Sequence, residues 1–239
     1  MLGTSRNPDR TDPIDGVELI ALDLTDEASI VACAAAAGDV DVLVNNAGES
    51  QSGPLEELPR DAIERLFQLN VIGQIRLTQL LTPGMRRRGY GRVVMVGSML
   101  GSFPLAYRSS YCATKSAIKA FASASRAELS PYGVWVTTVE PGSINTGISE
   151  RRTQYIGADS PYQGGYQTML RHLNANEAGG ISAADVAETI VEAITARRPK
   201  PLYARGSQAP LAFAMQRLLP RSVAERIVHR KHGLSFTKP

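Results

Sequence analysis

One pair of side chains in this sequence has the types and the spacing needed to move a proton. Tyr111 and Lys115 are four positions apart in the segment YCATK, which on a helix places them on one face with Cβ atoms about 5 to 6 Å apart. A phenol has an ordinary pKa of about 10, so proton transfer near pH 7 requires a shift of ~3 units. An ammonium ~6 Å away, at an effective dielectric of ~20, supplies roughly two of them. Since Tyr111 would lie in the first helical turn, the helix dipole can supply more, and we predict a proton-active phenol.

Taken alone, a Tyr-x-x-x-Lys pair is common, and a half-exposed surface pair is the simpler interpretation. Ser98 favours chemistry, because it closes the apolar run VVMVGS at the end of a predicted strand, where open α/β sheets bind ligands. A hydroxyl there could hydrogen-bond the carbonyl oxygen that the phenol protonates. Asn70 interrupts the apolar face of a long predicted helix, and NNAG at 45–48 ends another predicted strand. Their alternative interpretations are a satisfied helix amide and a simple turn.

The elements that must position these residues alternate between strand and helix. The predicted strands are nearly continuous apolar runs, which is typical of parallel strands covered on both faces: VELIALDL from Val17, DVLVNN from Asp41, RVVMVGS from Arg92 and VWVTTVE from Val134. Helices are predicted at 26–37, from about 60 to 88 and at 109–129. The pattern predicts an α/β fold with a doubly wound parallel sheet between two layers of helices.

The remaining sequence is predicted to belong to the same single domain, 1–239. A Gly-, Tyr- and Ser-rich stretch at 143–180 is predicted to be a long loop or substrate lid. Ser182 and Asp185 have the spacing of a capping box at the start of the next helix. The C-terminal extension, 205–239, has a helical pattern that breaks at Pro220.

Composition excludes several classes of protein. The net charge of +3 comes from 26 basic residues nearly matched by 23 acidic ones, and it is too small and too scattered for a nucleic-acid partner to be expected. No apolar stretch approaches the ~18 residues of a membrane span, and Cys33 and Cys112 do not form a disulfide framework. We therefore expect a cytoplasmic protein. His229 and His232 are three positions apart, but only His172 accompanies them, so no metal site is predicted.

The ordered set NNAG, Asn70, Ser98, YCATK and EPGSINTG resembles the short-chain dehydrogenase/reductases over residues 1 to about 200. Within that family, the segments TSRNPD, LDLTD and PLEEL look most like the 17β-hydroxysteroid-dehydrogenase-like group. The resemblance implies a Rossmann-like fold and an oxidoreductase that interconverts a secondary alcohol and a ketone. It also implies a homodimer or homotetramer paired through the helices at 60–88 and 109–129.

The resemblance implies a role for each matching residue. Tyr111 would be the general acid and base, Lys115 would lower its pKa and hold the nicotinamide ribose, Ser98 would polarise the substrate oxygen, and Asn70 would anchor a proton-relay water. The cofactor would be met by Tyr111, Lys115 and the following residues: Arg6, Asp23, Leu24, Asn46, Ala47, Gly48, Pro141, Gly142, Ile144 and Thr146. Arg6 takes the position at which family members bind a 2′-phosphate. No acidic residue stands there to hydrogen-bond a 2′-hydroxyl, so NADP(H) is favoured over NAD(H).

The start of the sequence departs from the family pattern. TSRNPD is typical of a strand end entering a turn, whereas dinucleotide-binding folds begin with a strand, a glycine-rich turn and a helix that receives the pyrophosphate. We expect the natural product to extend upstream by roughly 30 to 40 residues. Without them, apolar strand edges should be exposed and the cofactor should bind poorly. The alternative function is therefore a non-catalytic binding or scaffolding subunit, or a defective fragment.

The substrate is predicted to be a small carbonyl or alcohol with an apolar body. The predicted lining comprises residues of the 143–180 stretch and two that follow the Ser98 strand: Ile148, Tyr155, Tyr162, Tyr166, Met169, Phe103 and Leu105. The alternative is that these residues only cover the core.

Overall fold

The strands form two separate parallel sheets and one short pair. The computed structural model describes residues 1–145, 147 and 150–235. β1 (Leu2–Ser5) pairs with β2 (Glu18–Ala21), and the main sheet has the order β3-β5-β6-β8, with the short pair β4–β7 beside it. The bounds of the others are β3 (Val42–Asn45), β4 (Gln51–Ser52), β5 (Gly91–Val96), β6 (Val134–Pro141), β7 (Thr153–Gln154) and β8 (Leu202–Arg205). All of these pairings are parallel.

Helices cover both faces of the main sheet. Their bounds are α1 (Glu27–Ala37), α2 (Arg60–Phe67), α3 (Gly73–Arg88), α4 (Met99–Ser102), α5 (Ser109–Leu129), α6 (Gln163–Ala178), α7 (Ala183–Thr195), α8 (Ala209–Leu218) and α9 (Arg221–Lys231). On one face, Val93 of β5 packs in a core cluster with Leu77 of α3 and Ile118 of α5. On the other face, its neighbour Val94 packs with Val186 of α7. The predicted doubly wound α/β fold is therefore confirmed.

Burial on both faces explains the continuous apolar strands. Every residue of β5 is buried, and β6 is buried at all positions except Trp135. The side chains of successive residues point to opposite faces of a strand, so a strand between two helix layers has no solvent face that would select polar residues. β2 differs from the prediction of a buried strand, because its two central residues are half-buried and its two end residues are exposed.

Most helix boundaries agree with the sequence prediction. Asp26 caps α1 by accepting a hydrogen bond from the Ala28 amide, and α5 covers the predicted 109–129. Ser182 and Asp185 form the expected capping box at the start of α7. α8 and α9 are separated at Pro220, as the helical pattern indicated.

Two predictions about local structure need correction. The stretch 143–180 is not a loop throughout, because α6 occupies residues 163–178 and places Tyr166, Met169 and Leu173 in a small core cluster. The predicted helix from 60 to 88 is not uniform either. A π-helical turn at Gln68–Ile72 separates α2 from α3, and such turns are frequent at functional sites.

Among the described residues, β1 and β3 are not hydrogen-bonded to each other, so the strand order has a break between the two sheets. Apolar side chains of both edge strands are accordingly accessible, with Leu2 40% and Val44 36% exposed. No helix in the described part of the chain is long and apolar enough to cross a membrane.

Candidate active site

Three neighbouring strands of the main sheet end at one edge and bring their following residues together. Asn45 of β3 is in register with Met95 of β5, and Val96 of β5 with Val139 of β6. The segments after these strands therefore start side by side, because the strands are parallel. These segments contain the predicted residues 46–48, Ser98, Gly142 and Ile144, and the predicted Pro141 is the last residue of β6.

Helix α5 brings Tyr111 and Lys115 to the same edge. Tyr111 is the third residue of the helix, and Lys115 lies one turn further on. The side chains of both residues are buried. The Lys115 Nζ lies 5.8 Å from the centroid of the Tyr111 ring and donates a hydrogen bond to the Val96 carbonyl oxygen at 2.9 Å. The predicted pairing on one helix face is thus present, with the lysine tied to the end of β5.

Gly101 allows the helix that carries Ser98 to approach α5. Ser98 is the N-cap of α4, where its Oγ accepts a hydrogen bond from the Leu100 amide at 3.2 Å. A Cβ at position 101 would lie 2.9 Å from the backbone carbonyl carbon of Lys115. The short helix can therefore pack directly on the backbone of α5 only because residue 101 has no side chain.

The pKa of Tyr111 results from opposing influences. Burial raises it, while the charge of Arg108 and a hydrogen bond from Ser98 lower it. Burial also lowers the pKa of Lys115, to about 8. Burial outweighs the lowering influences, so the pKa of Tyr111 is raised overall, opposite to the lowering predicted from Lys115. That prediction left out the loss of hydration, which favours the neutral forms of both groups.

Three buried amides hold the segment after β3. The side chain of Asn70 accepts a hydrogen bond from the Glu49 amide at 2.8 Å and donates to the Glu49 carbonyl at 3.0 Å. Gln74 donates to the Ala47 carbonyl, and Asn45 donates to Thr78 Oγ1 at 2.9 Å. The second N–H of Asn70 points to Thr114 Oγ1 at 3.3 Å. Both donor hydrogens of Asn70 are therefore used in positioning protein groups.

The converging segments line one cavity of about 900 Å³. Most of the predicted site residues lie on its wall: Asn46, Ala47, Gly48, Ser98, Tyr111, Lys115, Pro141, Gly142 and Ile144. Asn70 lies directly behind Gly48, where a Cβ would stand 3.3 Å from its Oδ1. One cavity therefore brings together Tyr111, Lys115, the serine hydroxyl and the small residues of NNAG.

Four predicted cofactor residues are not among the described residues on this wall. Arg6 is exposed after the end of β1. The Asp23 carboxylate accepts hydrogen bonds from the Thr25 amide and hydroxyl, which lower its pKa. Leu24 is buried in the main core cluster. Thr146 lies outside the described residues.

The walls beyond the catalytic residues differ from the predicted substrate lining. Phe103 does line the cavity, whereas Tyr166, Met169 and Leu105 are buried in the cluster around α6. Tyr155 is not among the lining residues that the structure describes, Tyr162 lines a separate small pocket, and Ile148 is outside the described part. Helices α6, α8 and α9 supply apolar walls instead, through Leu173, Leu211, Met215, Ile227 and Val228. The core-covering alternative was correct for Tyr166, Met169 and Leu105, because helix formation turns them inward.

Sequence reasoning also missed two charged residues beside Tyr111, the buried Arg108 and the half-buried Glu177. The Arg108 guanidinium stacks over the Tyr111 ring, with 4.5 Å between its central carbon and the ring centroid. Glu177 of α6 lines the cavity and forms an ion pair with Arg152 at 2.6 Å. The position of Arg108 three residues before Tyr111 was the available signal. Nothing in the sequence indicates that Glu177 approaches the same site.

The residues present fit the nicotinamide-ribose end of a dinucleotide. The wall carries Ala47, Gly48 and Gly142, whose small side chains leave room for a planar ring. Lys115 Nζ donates one of its three hydrogens to the Val96 carbonyl oxygen, so two N–H groups remain to donate to hydroxyl oxygens at the cavity wall. This donor set fits the ribose contact that the sequence resemblance implied for Lys115.

Comparisons with known proteins give the family. The model of the family described as short chain dehydrogenase matches residues 11–156. An uncharacterized oxidoreductase of Bacillus subtilis, YusZ, is 30% identical over 97% of this chain and 89% of its own length. Human 17-beta-hydroxysteroid dehydrogenase type 1 is 31% identical, over 87% of this chain and 63% of its own. The chain also spans 53% to 60% of several other curated relatives.

Solved structures agree with this assignment. A short-chain dehydrogenase from Streptomyces avermitilis superposes with a TM-score of 0.79 at 34% identity, covering 91% of this chain and 83% of the other. One from Sphingobium yanoikuyae, in complex with NADPH, has a TM-score of 0.70 at 25% identity, with 91% and 84% covered. The chain belongs to the short-chain dehydrogenase/reductase family and is an NAD(P)-dependent oxidoreductase by class. These relatives do not favour the alternative of a non-catalytic subunit.

Proposed function

We propose that this protein interconverts a secondary alcohol and a ketone on a hydrophobic substrate, with NADP(H) as cofactor and Tyr111 as the general acid and base. The observation that carries the proposal is the single cavity lined by Ser98, Tyr111 and Lys115. The bound nicotinamide would supply or accept the hydride. The residues of this chain would orient the substrate oxygen and handle its proton.

Ser98 and Tyr111 are suited to bind the same substrate oxygen. Ser98 Oγ accepts the hydrogen bond of the Leu100 amide, so its own hydrogen can donate to Tyr111 or, with substrate bound, to the substrate oxygen. In the reductive direction, the Tyr111 phenol would give its proton to this oxygen. In the oxidative direction, the phenolate would accept it, and the Ser98 hydrogen bond would help to stabilise the phenolate.

Lys115 and Asn70 support these roles. The lysine is tied to Val96, so its ammonium stays at the cavity wall where a ribose hydroxyl would bind. Asn70 holds the backbone of Glu49 from both sides and thereby fixes the small residues before it. If Asn70 anchors a proton-relay water, it would do so through atoms other than its two amide hydrogens, because both already donate to protein groups.

The hydrophobic substrate class is supported by the apolar residues on the far wall. Phe103 and Leu173 face a cavity that α8 and α9 close with Leu211, Met215 and Ile227. Burying apolar surface against such walls contributes about 25 cal/mol per Å². A panel of hydrophobic ketones, each tested with NADPH and with NADH, identifies the substrate and the preferred cofactor.

NADP(H) is proposed on two grounds. Arg6 is accessible after the end of β1, where its guanidinium is free to reach a phosphate, and the Sphingobium relative holds NADPH. We also expect the protein to act in the cytoplasm as a homodimer or homotetramer through the helices at 60–88 and 109–129. Ile72 and Phe121 on these helices are 53% and 48% exposed, and sedimentation velocity reports the assembly directly.

Tyr111→Phe tests the proposed chemistry. We expect kcat to fall by about 10²- to 10⁴-fold, because the proton donor is lost while the ring remains. NADPH binding, followed by fluorescence, should stay within about twofold, since the cavity keeps its shape. Turnover near the wild-type value would contradict the role of Tyr111.

Tyr166→Phe is the matched control. Tyr166 is also fully buried, and its hydroxyl bonds to Ser52 and Gln154 rather than facing the cavity. Its loss should cost about 1 kcal/mol of stability and leave kcat nearly unchanged. An equal loss of kcat in both variants would indicate a general effect of removing a buried hydroxyl.

A further inference from the structure

A buried arginine lies beside the proposed catalytic tyrosine, and no described residue gives it a carboxylate partner of its own. Arg108 immediately precedes α5 and is 2% exposed. Its Nη2 donates to Ser50 Oγ at 3.0 Å, whereas Nε and Nη1 have no hydrogen-bond partner among the described residues. The face of the guanidinium lies over the Tyr111 ring, 4.5 Å from its centroid.

The nearby carboxylate is already neutralised by another arginine. The side chain of Arg152 is completely buried, and its Nη2 bonds both carboxylate oxygens of Glu177 at 2.6 and 2.7 Å. It also donates to Asn174 Oδ1 at 2.9 Å. Two arginines and one glutamate therefore leave a net positive charge at this site, and that charge resides on Arg108.

Packing does not explain such a charge. Burial of an unpaired cation is unfavourable, and an apolar side chain of similar length would fill the same space without that cost. What distinguishes Arg108 is that its charge faces a group that can become an anion. A phenolate at Tyr111 would supply the missing counter-charge.

We propose that Arg108 is a positioning residue that acts through Tyr111, because its fixed charge over the ring stabilises the phenolate form that accepts the substrate proton. This inference rests on the proposed function. It adds a second cation to the one supplied by Lys115. It also gives the two cations different duties, since Lys115 is tied to the Val96 carbonyl, whereas the Arg108 guanidinium lies over the face of the Tyr111 ring.

The groups around Tyr111 support this division. Burial raises the pKa of Tyr111, the Arg108 charge and the Ser98 hydrogen bond lower it, and Cys112 and Glu177 oppose them. Burial also raises the pKa of the Cys112 thiol, which favours its neutral form. Burial lowers the pKa of Lys115 to about 8, whereas burial and Arg152 lower that of Arg108 only to about 10. Arg108 therefore keeps its charge over a wider pH range than Lys115.

The test is the pH dependence of alcohol oxidation by the full chain with NADP⁺. The substrate is the alcohol that the wild-type protein oxidises fastest in a panel of hydrophobic alcohols. In Arg108→Met, the rise of kcat with pH should be shifted to higher pH by about one unit or more, because removing a cation makes the phenolate harder to form. Arg108→Lys should keep most of the wild-type profile. Arg108→Gln removes the charge and keeps a donor for Ser50, so it replaces Arg108→Met if the latter does not fold.

Arg92→Met is the matched control. Arg92 is also buried, also stacks on a tyrosine, with 4.8 Å to the Tyr90 centroid, and also has an Nε without a described partner. It lies at the start of β5, away from the catalytic edge. Its loss should therefore lower stability without moving the pH profile.

Two outcomes separate this inference from the proposed function. The role of Arg108 would be overturned if a folded Arg108→Met or Arg108→Gln variant had the rising part of its kcat–pH profile at the same pH as Arg92→Met. The conclusion from Tyr111→Phe would be unaffected by that result. A Tyr111→Phe variant that retains activity would overturn the proposed function and this inference with it. A check that needs no substrate is the tyrosinate absorbance as a function of pH. Subtracting the absorbance of the same protein carrying Tyr111→Phe isolates Tyr111, which should ionise at higher pH in Arg108→Met and Arg108→Gln than in the wild-type protein.

Discussion

The two sheets of this protein hold the residues at their carboxyl ends in different ways. In the four-stranded sheet, β5 is buried along its length, and Ser98 after it is the N-cap of α4, which packs on the backbone of α5. In the two-stranded sheet, β1 and β2 are at most half-buried, and Arg6 follows β1 in an exposed position. Packing therefore fixes the proposed catalytic atoms, whereas the proposed phosphate contact depends on an exposed charge.

The difference predicts what substitutions will change in each sheet. Variants at the catalytic edge should change stability and kcat together, because the same contacts hold the fold and the reacting groups. Variants at Arg6 should change only the affinity for the cofactor, because an exposed charge contributes little to folding. Three experiments test this contrast, from the largest expected effect to the smallest.

The largest effect is expected for Gly101→Ala. The added methyl group would lie 2.9 Å from the Lys115 carbonyl carbon, so α4 must move away from α5. We expect the free energy of unfolding to fall by about 2 to 3 kcal/mol. A displacement of Ser98 by about 1 Å should also lower kcat by ~10²-fold. Urea denaturation and steady-state kinetics measure the two effects.

Gly164→Ala is the control for this substitution. Gly164 lies in the first turn of α6, and a Cβ there meets no heavy atom within 4 Å. Alanine should therefore leave kcat unchanged and raise stability by up to ~1 kcal/mol. If Gly101→Ala behaves like Gly164→Ala, the close approach of α4 to α5 does not hold the catalytic edge in place.

A smaller effect is expected from the pH dependence of stability at Lys115. Its pKa is about 8 in the folded chain against 10.5 normally. The unfolded chain therefore binds more protons between these values, so the Lys115 contribution makes the folded state more stable as pH rises through this window. The change is at most about 3 kcal/mol. Below pH 8 the cost of the buried ammonium is fully present.

Lys115→Met removes this dependence. The free energy of unfolding of the variant should exceed that of the wild-type protein by more near pH 7 than near pH 10.5. Urea denaturation without cofactor measures this difference. Lys200→Met controls for loss of a lysine, because its side chain is 70% exposed. A constant difference between Lys115→Met and wild type across the window would mean that the ammonium is not desolvated.

The smallest effect is expected at the edge of the two-stranded sheet. Arg6→Ala should raise the KM for NADPH about tenfold, which is ~1.4 kcal/mol, and leave the KM for NADH and the stability nearly unchanged. Arg10→Ala, also exposed on the turn after β1, is the control. Equal changes for both cofactors would contradict a contact between Arg6 and the 2′-phosphate.

The helices and the parallel strands of the main sheet could largely be predicted because their signals are local. Asp26 and Ser182 mark helix starts through hydrogen bonds to amides two and three residues away. Residues 163–178 were mistaken for a loop because their Gly and Tyr content obscured the helical period. Tyr166 and Met169 therefore belong to the core rather than to the substrate wall.

The catalytic edge was predictable for a related reason. Parallel strands end at the same edge, so the strand pattern alone places Ser98 near the NNAG segment. The substrate wall was not predictable, since Leu211, Met215 and Ile227 reach the cavity across a long separation in sequence. The same holds for Glu177, which meets Arg152 and the surroundings of Arg108 only after α6 has packed.

The sequence by itself determined the α/β class, the family and the four residues proposed for catalysis, because side-chain periodicity and short motifs are written in consecutive positions. Only the tertiary structure decided how each of those side chains is solvated. Burial lowers the pKa of Lys115 and raises that of Tyr111, and it places the Arg108 charge against the phenol. Hydration and Coulomb interactions depend on distances in space, which spacing along the chain does not contain.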